Sequence, residues 1–295
     1  MAKLGHNQYG KAENRVVRVF RDSDPHEIVD YNVSVALWGG QEAPHLTGDN
    51  APVLPTDTQK NTVYAFAKEA GDAVRQPESF GIRLARHFVD DTAPITHARV
   101  KIEMYPWTRL NNPHAFVRDG RYVRTATVTY DGTSTWVVSG VTRLSIMKTT
   151  DSEYHGFLQD KYTTLAPTRD RIVATSLTAQ WWHRGEGSEG TDWGKSYDRV
   201  VQTILDTYGS HYSLAHQQTL YAAGAAVLNE QPELAEIRIT APNLHHFVYD
   251  LARFGVENNN EVFHADDRPY GLQEVTVQRD DAPDAGLAFD PGQGW

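Results

Sequence analysis

The sequence predicts an α+β protein built from two tandem repeats, each an antiparallel sheet with two helices on one face. Segments in which every second residue is apolar, which is typical of strands, occur in pairs before and after each pair of segments with helical periodicity. The order strand–strand–helix–helix–strand–strand therefore occurs twice. We place the first repeat at residues 1–135 and the second at residues 136–295, with a flexible tail rich in Asp, Ala, Gly and Pro from about residue 280.

The first repeat opens with two strands and two helices. Val17 and Val19 alternate with polar residues in the first strand, and apolar residues alternate strictly over residues 29–37 in the second. After a loop of Gly, Asn and Pro, the segment from Pro55 predicts the first helix, and Pro77 marks the start of the next. Because each strand has one apolar face, the helices are expected to cover that face.

Strands close the first repeat. Apolar residues alternate again over residues 98–104, which predicts a third strand. Two Asp-Gly pairs, at residues 119–120 and 131–132, predict two-residue hairpin turns between the strands that follow, up to residue 147.

The second repeat follows the same order. It is predicted to contain a strand at residues 175–182, a Gly- and Glu-rich loop at 184–194, a helix over 197–208, a second helix from 213 to about 230, and strands at 237–240 and 272–277. Long antiparallel strands of this kind leave sheet edges that need covering, and oligomerisation would cover them.

Composition is that of an ordinary soluble globular protein. The 295 residues carry a net charge of -10 and no run of Lys and Arg, so nucleic acid is not expected as a partner. The absence of cysteine excludes disulfides, thiolate metal sites and a cysteine nucleophile. No stretch approaches the ~18 apolar residues of a membrane span, so we expect a cytoplasmic protein that does not bind membranes.

The start of the first helix carries more polar side chains than a helix needs. One of Thr56 and Asp57 is expected to cap it, because Thr and Asp are common caps. A single cap does not explain Thr58, Asn61 and Thr62, although these side chains can also turn outward into water. A helix N-terminus with free N–H groups is a natural place to hold an anion, so an anion site is the second interpretation.

Three further candidates are polar residues for which an ordinary structural explanation is available. Lys11 lies near the N-terminus, where a lysine is usually a solvated surface charge. Arg171 follows Asp170 at the entry to a strand, and it either pairs on the surface or holds a planar anionic ligand edge. Gln217 is either a satisfied amide at a helix start or a hydrogen-bonding group that points into a cavity.

Two adjacent histidines, His245 and His246, follow the strand predicted at residues 237–240, and no metal-binding motif accompanies them. Asn243 and His245 are two residues apart, so they share a face if the chain stays extended. His246 would then point to the opposite face, which makes the pair a poor chelate, and we expect no metal site. Motifs for nucleotide cofactors and for serine hydrolases are absent from the sequence.

Seven segments spread along the chain carry a family resemblance. They are "YGKAENRV" (residues 9–16), "TDTQKNTVY" (56–64), "GFLQDKYTTL" (156–165), "DRIVATSLTAQW" (170–181), "PNLHHF" (242–247), "NEVF" (260–263) and "PYGL" (269–272). Together they resemble the urate oxidase, or uricase, family. The resemblance implies the tunnelling fold, two tandem repeats of an antiparallel sheet backed by two helices, assembled as a homotetramer around a tunnel. It also implies that urate and molecular oxygen yield 5-hydroxyisourate and hydrogen peroxide, a step of purine catabolism, without metal or organic cofactor.

The resemblance implies a proton relay. Lys11 and Thr56 would relay protons from urate, and His245 would complete the relay. In the family, the Lys and Thr side of each site comes from one subunit and the Arg, Gln and Asn side from its neighbour. An isolated chain would then have no complete site.

The resemblance also implies a set of substrate-binding residues. Arg171 would grip one edge of urate through two hydrogen bonds, and Gln217 would pair with the opposite part of the ring. Asp57 would offer a backbone N–H group. Asn243 would hold oxygen or a water molecule above the ring, opposite Thr56.

Two positions depart from the family pattern. Tyr154 stands where a phenylalanine stacks on urate, so its hydroxyl needs a partner or water. His216 stands where a small or aliphatic residue is usual, and only its backbone N–H is expected to face urate.

Two other functions remain open from the sequence. One is a tunnelling-fold enzyme that acts on pterins or other purines, although members with metal sites need thiolate or clustered histidine ligands, and the chain has no cysteine. The other is a purine-binding protein without turnover, for which Arg171 and Gln217 alone would suffice.

Overall fold

Alternating apolar residues build one large antiparallel sheet. The computed structural model describes residues 2–22, 24–185 and 191–290. The strands are β1 (Tyr9–Phe20), β2 (Glu27–Trp38), β3 (His97–Met104), β4 (Trp107–Arg109), β5 (Phe116–Arg118), β6 (Val123–Tyr130), β7 (Thr135–Lys148), β8 (Val173–His183), β9 (Leu234–Val248) and β10 (Phe263–Gln278). The helices are α1 (Glu42–Leu46), α2 (Thr56–Glu69), α3 (Pro77–Asp90), α4 (Trp193–Ser210) and α5 (His216–Glu230), with 3₁₀ turns at Gly71–Arg75 and Ala252–Phe254.

The order of the strands in the sheet preserves the internal repeat. It is β1-β2-β3-β6-β7-β8-β9-β10, and every neighbouring pair is antiparallel. The first four strands accompany α2 and α3, and the last four accompany α4 and α5. The predicted order of elements and the α+β class are therefore confirmed, and the two halves meet at the β6–β7 pair.

The helices of both halves lie on the same face of the sheet. The first core includes Leu84 of α3, and the second includes Ile204 of α4, both fully buried. Val137 belongs to the first core and Val141 to the second. Residues four apart on a strand point to the same face, so one face of β7 receives helices from both halves.

The C-terminal segment packs on the opposite face. Val138 contributes to a small separate core with Trp182 and Ala288. Arg99 of β3 is buried and pairs with Asp290 at 2.8 Å. Residues up to Asp290 therefore cover part of the face that carries no helices. The flexibility of the tail from about residue 280 and the repeat boundary near residue 135 stay predictions.

A buried polar network crosses the junction of the two halves. Glu78 of α3 accepts hydrogen bonds from Arg124 of β6 at 2.7 Å and from the hydroxyl of Ser139 of β7 at 2.6 Å. The same hydroxyl oxygen accepts the Nε2–H of His183 of β8 at 2.9 Å. Burial, followed by the charge of Arg124, lowers the pKa of His183 to about 3, so this ring is neutral at neutral pH.

The two predicted hairpin turns are wrong in detail. Residues 131–134 form a four-residue loop between β6 and β7, in which the N–H of Asp131 donates to the C=O of Ser134 at 3.3 Å. The Asp-Gly pair at residues 119–120 does not join paired strands, because β5 pairs with β4 and β6 pairs with β3 and β7. An Asp-Gly pair marks a turn but does not by itself determine which strands pair.

Two boundaries in the second half also differ from the prediction. The second helix begins at His216 rather than at residue 213, because Ala215 keeps an extended backbone (φ -154°, ψ 143°). α4 begins at Trp193, inside the predicted loop at 184–194, and residues 186–190 of that loop lie outside the described residues. No helix of the described chain is long and apolar enough to span a membrane.

Candidate active site

A cavity of about 830 Å³ lies in the second half, where the start of α5 meets β9 and β10. The loop between β7 and β8 supplies much of its remaining wall. The cavity brings together six residues predicted from the sequence, namely Tyr154, Arg171, His216, Gln217, Asn243 and His245.

Arg171 presents a positive charge to this cavity, and its guanidinium has no acidic partner among the described residues. Its backbone N–H donates to the C=O of Ser152 at 3.0 Å and its Nε–H to the hydroxyl of Ser152 at 3.3 Å, which fixes the side chain. Neither Nη atom has a partner in the described chain, and Asp170 accepts from Thr150 rather than pairing with Arg171. Burial lowers the pKa of Arg171, but a guanidinium stays charged at neutral pH. The two Nη groups of Arg171 can therefore donate hydrogen bonds to one edge of a planar anion.

Tyr154 places an aromatic ring beside that charge. The backbone N–H and C=O of Tyr154 both pair with Thr168 at 2.9 Å. The ring stacks on Phe157 with centroids 4.9 Å apart, and the guanidinium carbon of Arg171 lies 5.0 Å from the ring centroid of Tyr154. A flat ligand can contact both groups.

The N-terminus of α5 lies at the cavity, and no side chain in the described part of the chain caps it. Ala215 occupies the N-cap position, and its C=O accepts from Gln218 and Thr219 at 3.1 and 3.3 Å. The backbone N–H groups of His216 and Gln217 have no partner in the part of the chain that the structure describes. Both residues line the cavity, so the positive end of the helix dipole lies at its wall.

The side chain of His216 belongs to a buried network that the sequence did not indicate. His216 as a whole is 2% exposed, with Nε2 at 3.2 Å from the hydroxyl of Tyr208 and Nδ1 at 3.1 Å from the Oε1 of Gln273. Burial lowers the pKa of His216, and the charge of Arg171 acts in the same direction. Gln273 also lines the cavity, and nothing distinguishes it in the sequence from other polar residues of an alternating strand.

β9 supplies the wall that carries Asn243 and His245. The strand continues through both residues to Val248, and both line the cavity, as expected for residues two apart on an extended chain. Asn243 lies opposite Thr175 of β8 and Gly271 of β10. Among the described residues, no group of three or more His, Cys, Asp or Glu side chains is placed to hold a metal ion.

The remaining predicted residues, Lys11, Thr56 and Asp57, lie on the first half and do not line this cavity. Lys11 is in β1 beside an irregularity in its pairing with β2. The hydrogen bond from Lys60 lowers the pKa of Asp57 most, and the charge of Lys11 contributes to the same shift, so Lys11 lies close to the start of α2. The amine of Lys11 has no hydrogen bond or ion pair within residues 2–22, 24–185 and 191–290.

The predicted cap of α2 is wrong. The helix begins at Thr56 itself, Pro55 occupies the N-cap position, and none of the side chains that the structure describes caps it. The carboxylate of Asp57 is held by Lys60 at 2.5 Å and by Asn61 at 3.1 Å. The first backbone N–H that finds a partner is that of Gln59, so the earlier N–H groups of the helix have no partner within residues 2–22, 24–185 and 191–290. This start of α2, like that of α5, therefore offers donors to an anion.

Comparison with known proteins identifies the family. A family model described as uricase matches residues 7–129 and 137–274. The chain belongs to the uricase family. Uricase from Arthrobacter globiformis is 46% identical over 278 residues, which cover 94% of this chain and 90% of that protein. Uricase from Danio rerio is 35% identical over 279 residues, which cover 92% of this chain and 93% of that protein.

Solved uricase structures share the fold. The crystal structure of uricase from Arthrobacter globiformis superposes with a TM-score of 0.91 at 45% identity and covers 96% of this chain and 97% of that chain. A uricase from Bacillus fastidious superposes with a TM-score of 0.79 at 21% identity and covers 99% of this chain and 98% of that chain, which shows likeness of fold alone. The predicted tunnelling fold is thus confirmed in this uricase-family chain.

Proposed function

We propose that this protein oxidises urate with molecular oxygen to 5-hydroxyisourate and hydrogen peroxide, in the cytoplasm and without a metal or organic cofactor. Urate gives up an electron pair to dioxygen, which takes up two protons to become hydrogen peroxide. Water supplies the hydroxyl group that is added to the purine carbon, and its remaining proton is released. The observation that carries the proposal is an unpaired guanidinium, an aromatic ring and free helix N–H groups around one cavity of a uricase-family chain.

The cavity supplies the groups that a flat anion needs. Arg171 holds one edge of urate through its two free Nη groups, and Tyr154 stacks on the ring. Gln217 and the backbone N–H of His216 bind the opposite part of the ring at the positive end of α5. Asn243 holds dioxygen or a water molecule above the ring.

Three residues, which come from both halves of the chain, carry out proton transfer. Lys11 and Thr56 relay protons from urate, with Thr56 linking the amine of Lys11 to the ring, and His245 completes the relay. The backbone N–H of Asp57 makes a further contact with substrate, since its carboxylate is already held by Lys60 and Asn61. Because Lys11, Thr56 and Asp57 lie outside the cavity of their own chain, each site takes them from a neighbouring copy.

A homotetramer with sites between subunits accounts for the exposed apolar surface of the second half. Large apolar side chains are exposed on and beside the β9–β10 hairpin, where a monomer would leave them in water. They are Phe247, Val248, Tyr249, Phe254, Val256, Val262, Tyr270 and Leu272.

The function is tested by adding urate to chelator-treated protein in air. We expect the ultraviolet absorbance of urate to fall and hydrogen peroxide to form, with little of either in an Arg171→Ala variant, which loses the charge that holds the anion. Tight binding of urate without peroxide would instead favour a purine-binding protein. A chain that neither binds nor oxidises urate contradicts both.

A further inference from the structure

Tyr208 determines which nitrogen of His216 carries the proton. Tyr208 is fully buried, and the partner of its hydroxyl in the described chain is the Nε2 of His216 at 3.2 Å. A buried hydroxyl needs an acceptor for its hydrogen, so Nε2 accepts and the proton of the neutral ring is on Nδ1. Burial, which lowers the pKa of His216, favours this neutral form.

His216 in turn determines how the amide of Gln273 is oriented. The Nδ1–H of His216 needs an acceptor, and the side-chain oxygen of Gln273 lies 3.1 Å away. The amide nitrogen of Gln273 must then point the other way. A Cβ atom added to Gly271 would lie 3.2 Å from this nitrogen, and Gly271 is paired with Asn243. The amide nitrogen has no hydrogen-bond partner in the part of the chain described, and Gln273 lines the cavity.

We propose that Gln273 is a further substrate-binding residue and that His216 is its positioning residue. The amide of Gln273 donates to an acceptor atom of the bound purine anion, a carbonyl oxygen or a deprotonated ring nitrogen, on the side of the cavity that carries Asn243. His216 prevents the amide from rotating, because the opposite orientation would set two N–H groups against each other. This inference rests on the proposed urate function.

The substrate contact is tested by urate binding in the absence of oxygen, where no turnover interferes. We expect Gln273→Leu to raise the Kd for urate about tenfold, which is typical of one lost hydrogen bond to a charged ligand. Gln273→Glu keeps an acceptor for His216 but places a carboxylate against the anion, so it should raise Kd further. Gln278→Leu is the matched control on the same strand, because that amide donates to Glu236 at 2.7 Å and does not line the cavity.

The positioning role is tested by a double-mutant cycle on the same Kd. If His216 acts through Gln273, His216→Leu raises Kd, and combining it with Gln273→Leu adds little to the effect of Gln273→Leu alone. If the fold increases in Kd of the two single variants multiply in the double variant, the positioning role is overturned. Should His216→Leu fail to fold, Tyr208→Phe replaces it in the cycle, since it removes the hydroxyl that determines the tautomer.

The outcomes separate this inference from the function on which it rests. A wild-type chain that binds urate, with Gln273→Leu binding equally well, overturns the inference and leaves the function standing. A wild-type chain that neither binds nor oxidises urate overturns the function as well. Thermal unfolding of each variant shows whether a raised Kd reflects loss of the fold rather than of the contact.

Discussion

At the residue scale, the polar side chains of the candidate site form two sets with different proposed tasks. Those around the cavity, above all Arg171 and Gln217, are proposed to hold a planar anion. Lys11 lies apart from them, on the first half, with an amine that has no partner among the described residues. Binding and proton transfer should therefore be separable by mutation.

Replacing Lys11 with alanine tests that separation. We expect Lys11→Ala to lower turnover about 10²- to 10⁴-fold, as is usual when a proton-transfer group is removed, and to leave urate binding without oxygen mostly intact. The assay is peroxide formation beside anaerobic binding. Lys68→Ala is the control, because Lys68 is an exposed lysine in the last turn of α2. Near-native turnover in Lys11→Ala would show that the relay assignment is wrong.

At the scale of elements, α5 connects the site to the core. Its first residues line the cavity, and further along the helix Gly224 allows close contact with the sheet. A Cβ atom at Gly224 would lie 2.7 Å from a methyl group of Val277 and 3.3 Å from one of Ile237, both buried. The position of α5, and with it the site, therefore depends on a residue without a side chain.

A larger residue at Gly224 should push α5 away from the sheet. We expect Gly224→Val to lower the free energy of unfolding by about 1–3 kcal/mol through overpacking, measured by urea denaturation. Gly209→Val is the matched control, since Gly209 is in α4 and, beyond the backbone of its own helix, no atom of the described residues lies within 4 Å of an added Cβ. The control should change stability by less than about 0.5 kcal/mol. Equal effects at the two positions would contradict the packing explanation.

At the scale of the whole molecule, two halves share one sheet and one buried network. Glu78 and Arg124 come from the first half, and Ser139 and His183 from the second. The network therefore links the two repeats within each chain by hydrogen bonds, whereas the proposed sites lie between separate chains.

The buried His183 should make stability depend on pH. The pKa of His183 is about 3 in the folded chain and near 6.5 for an ordinary histidine. Between these pH values the unfolded chain therefore binds one more proton than the folded chain. The free energy of unfolding should then fall as the pH is lowered through this range, by up to about 1.4 kcal/mol per pH unit from this group. His183→Gln should reduce the slope, measured by urea denaturation from about pH 7 to about pH 4. A slope that stays the same in His183→Gln would contradict this origin of the pH dependence.

Mixed assemblies test whether neighbouring chains share a site. Chains carrying Lys11→Ala and chains carrying Arg171→Ala should each be nearly inactive alone. Assembled together at random, about one quarter of the sites would combine an intact Lys11 with an intact Arg171 from different chains, so activity should reappear. The assay is peroxide formation after refolding the two variants together, with each variant refolded alone as control. Activity that does not reappear would place each site within one chain.

The sequence by itself determined the repeat and the apolar face of each element. Alternation over residues 29–37 and helical spacing over 197–208 are local patterns, and burying one face of such a segment leaves few ways to fold it. The family resemblance named the site residues, and the fold places six of them around one cavity.

Only the tertiary structure decided the contacts between distant segments. The hydrogen bond from His216 to Gln273 and the packing of the C-terminal segment on the open face of the sheet join residues far apart in the chain. Local spacing does not reveal such contacts, because they depend on how the strands pair and how the helices pack on them. The sequence already places Lys11 and Arg171 on different halves, but only strand pairing and helix packing decide that Lys11 lies outside the cavity that Arg171 lines.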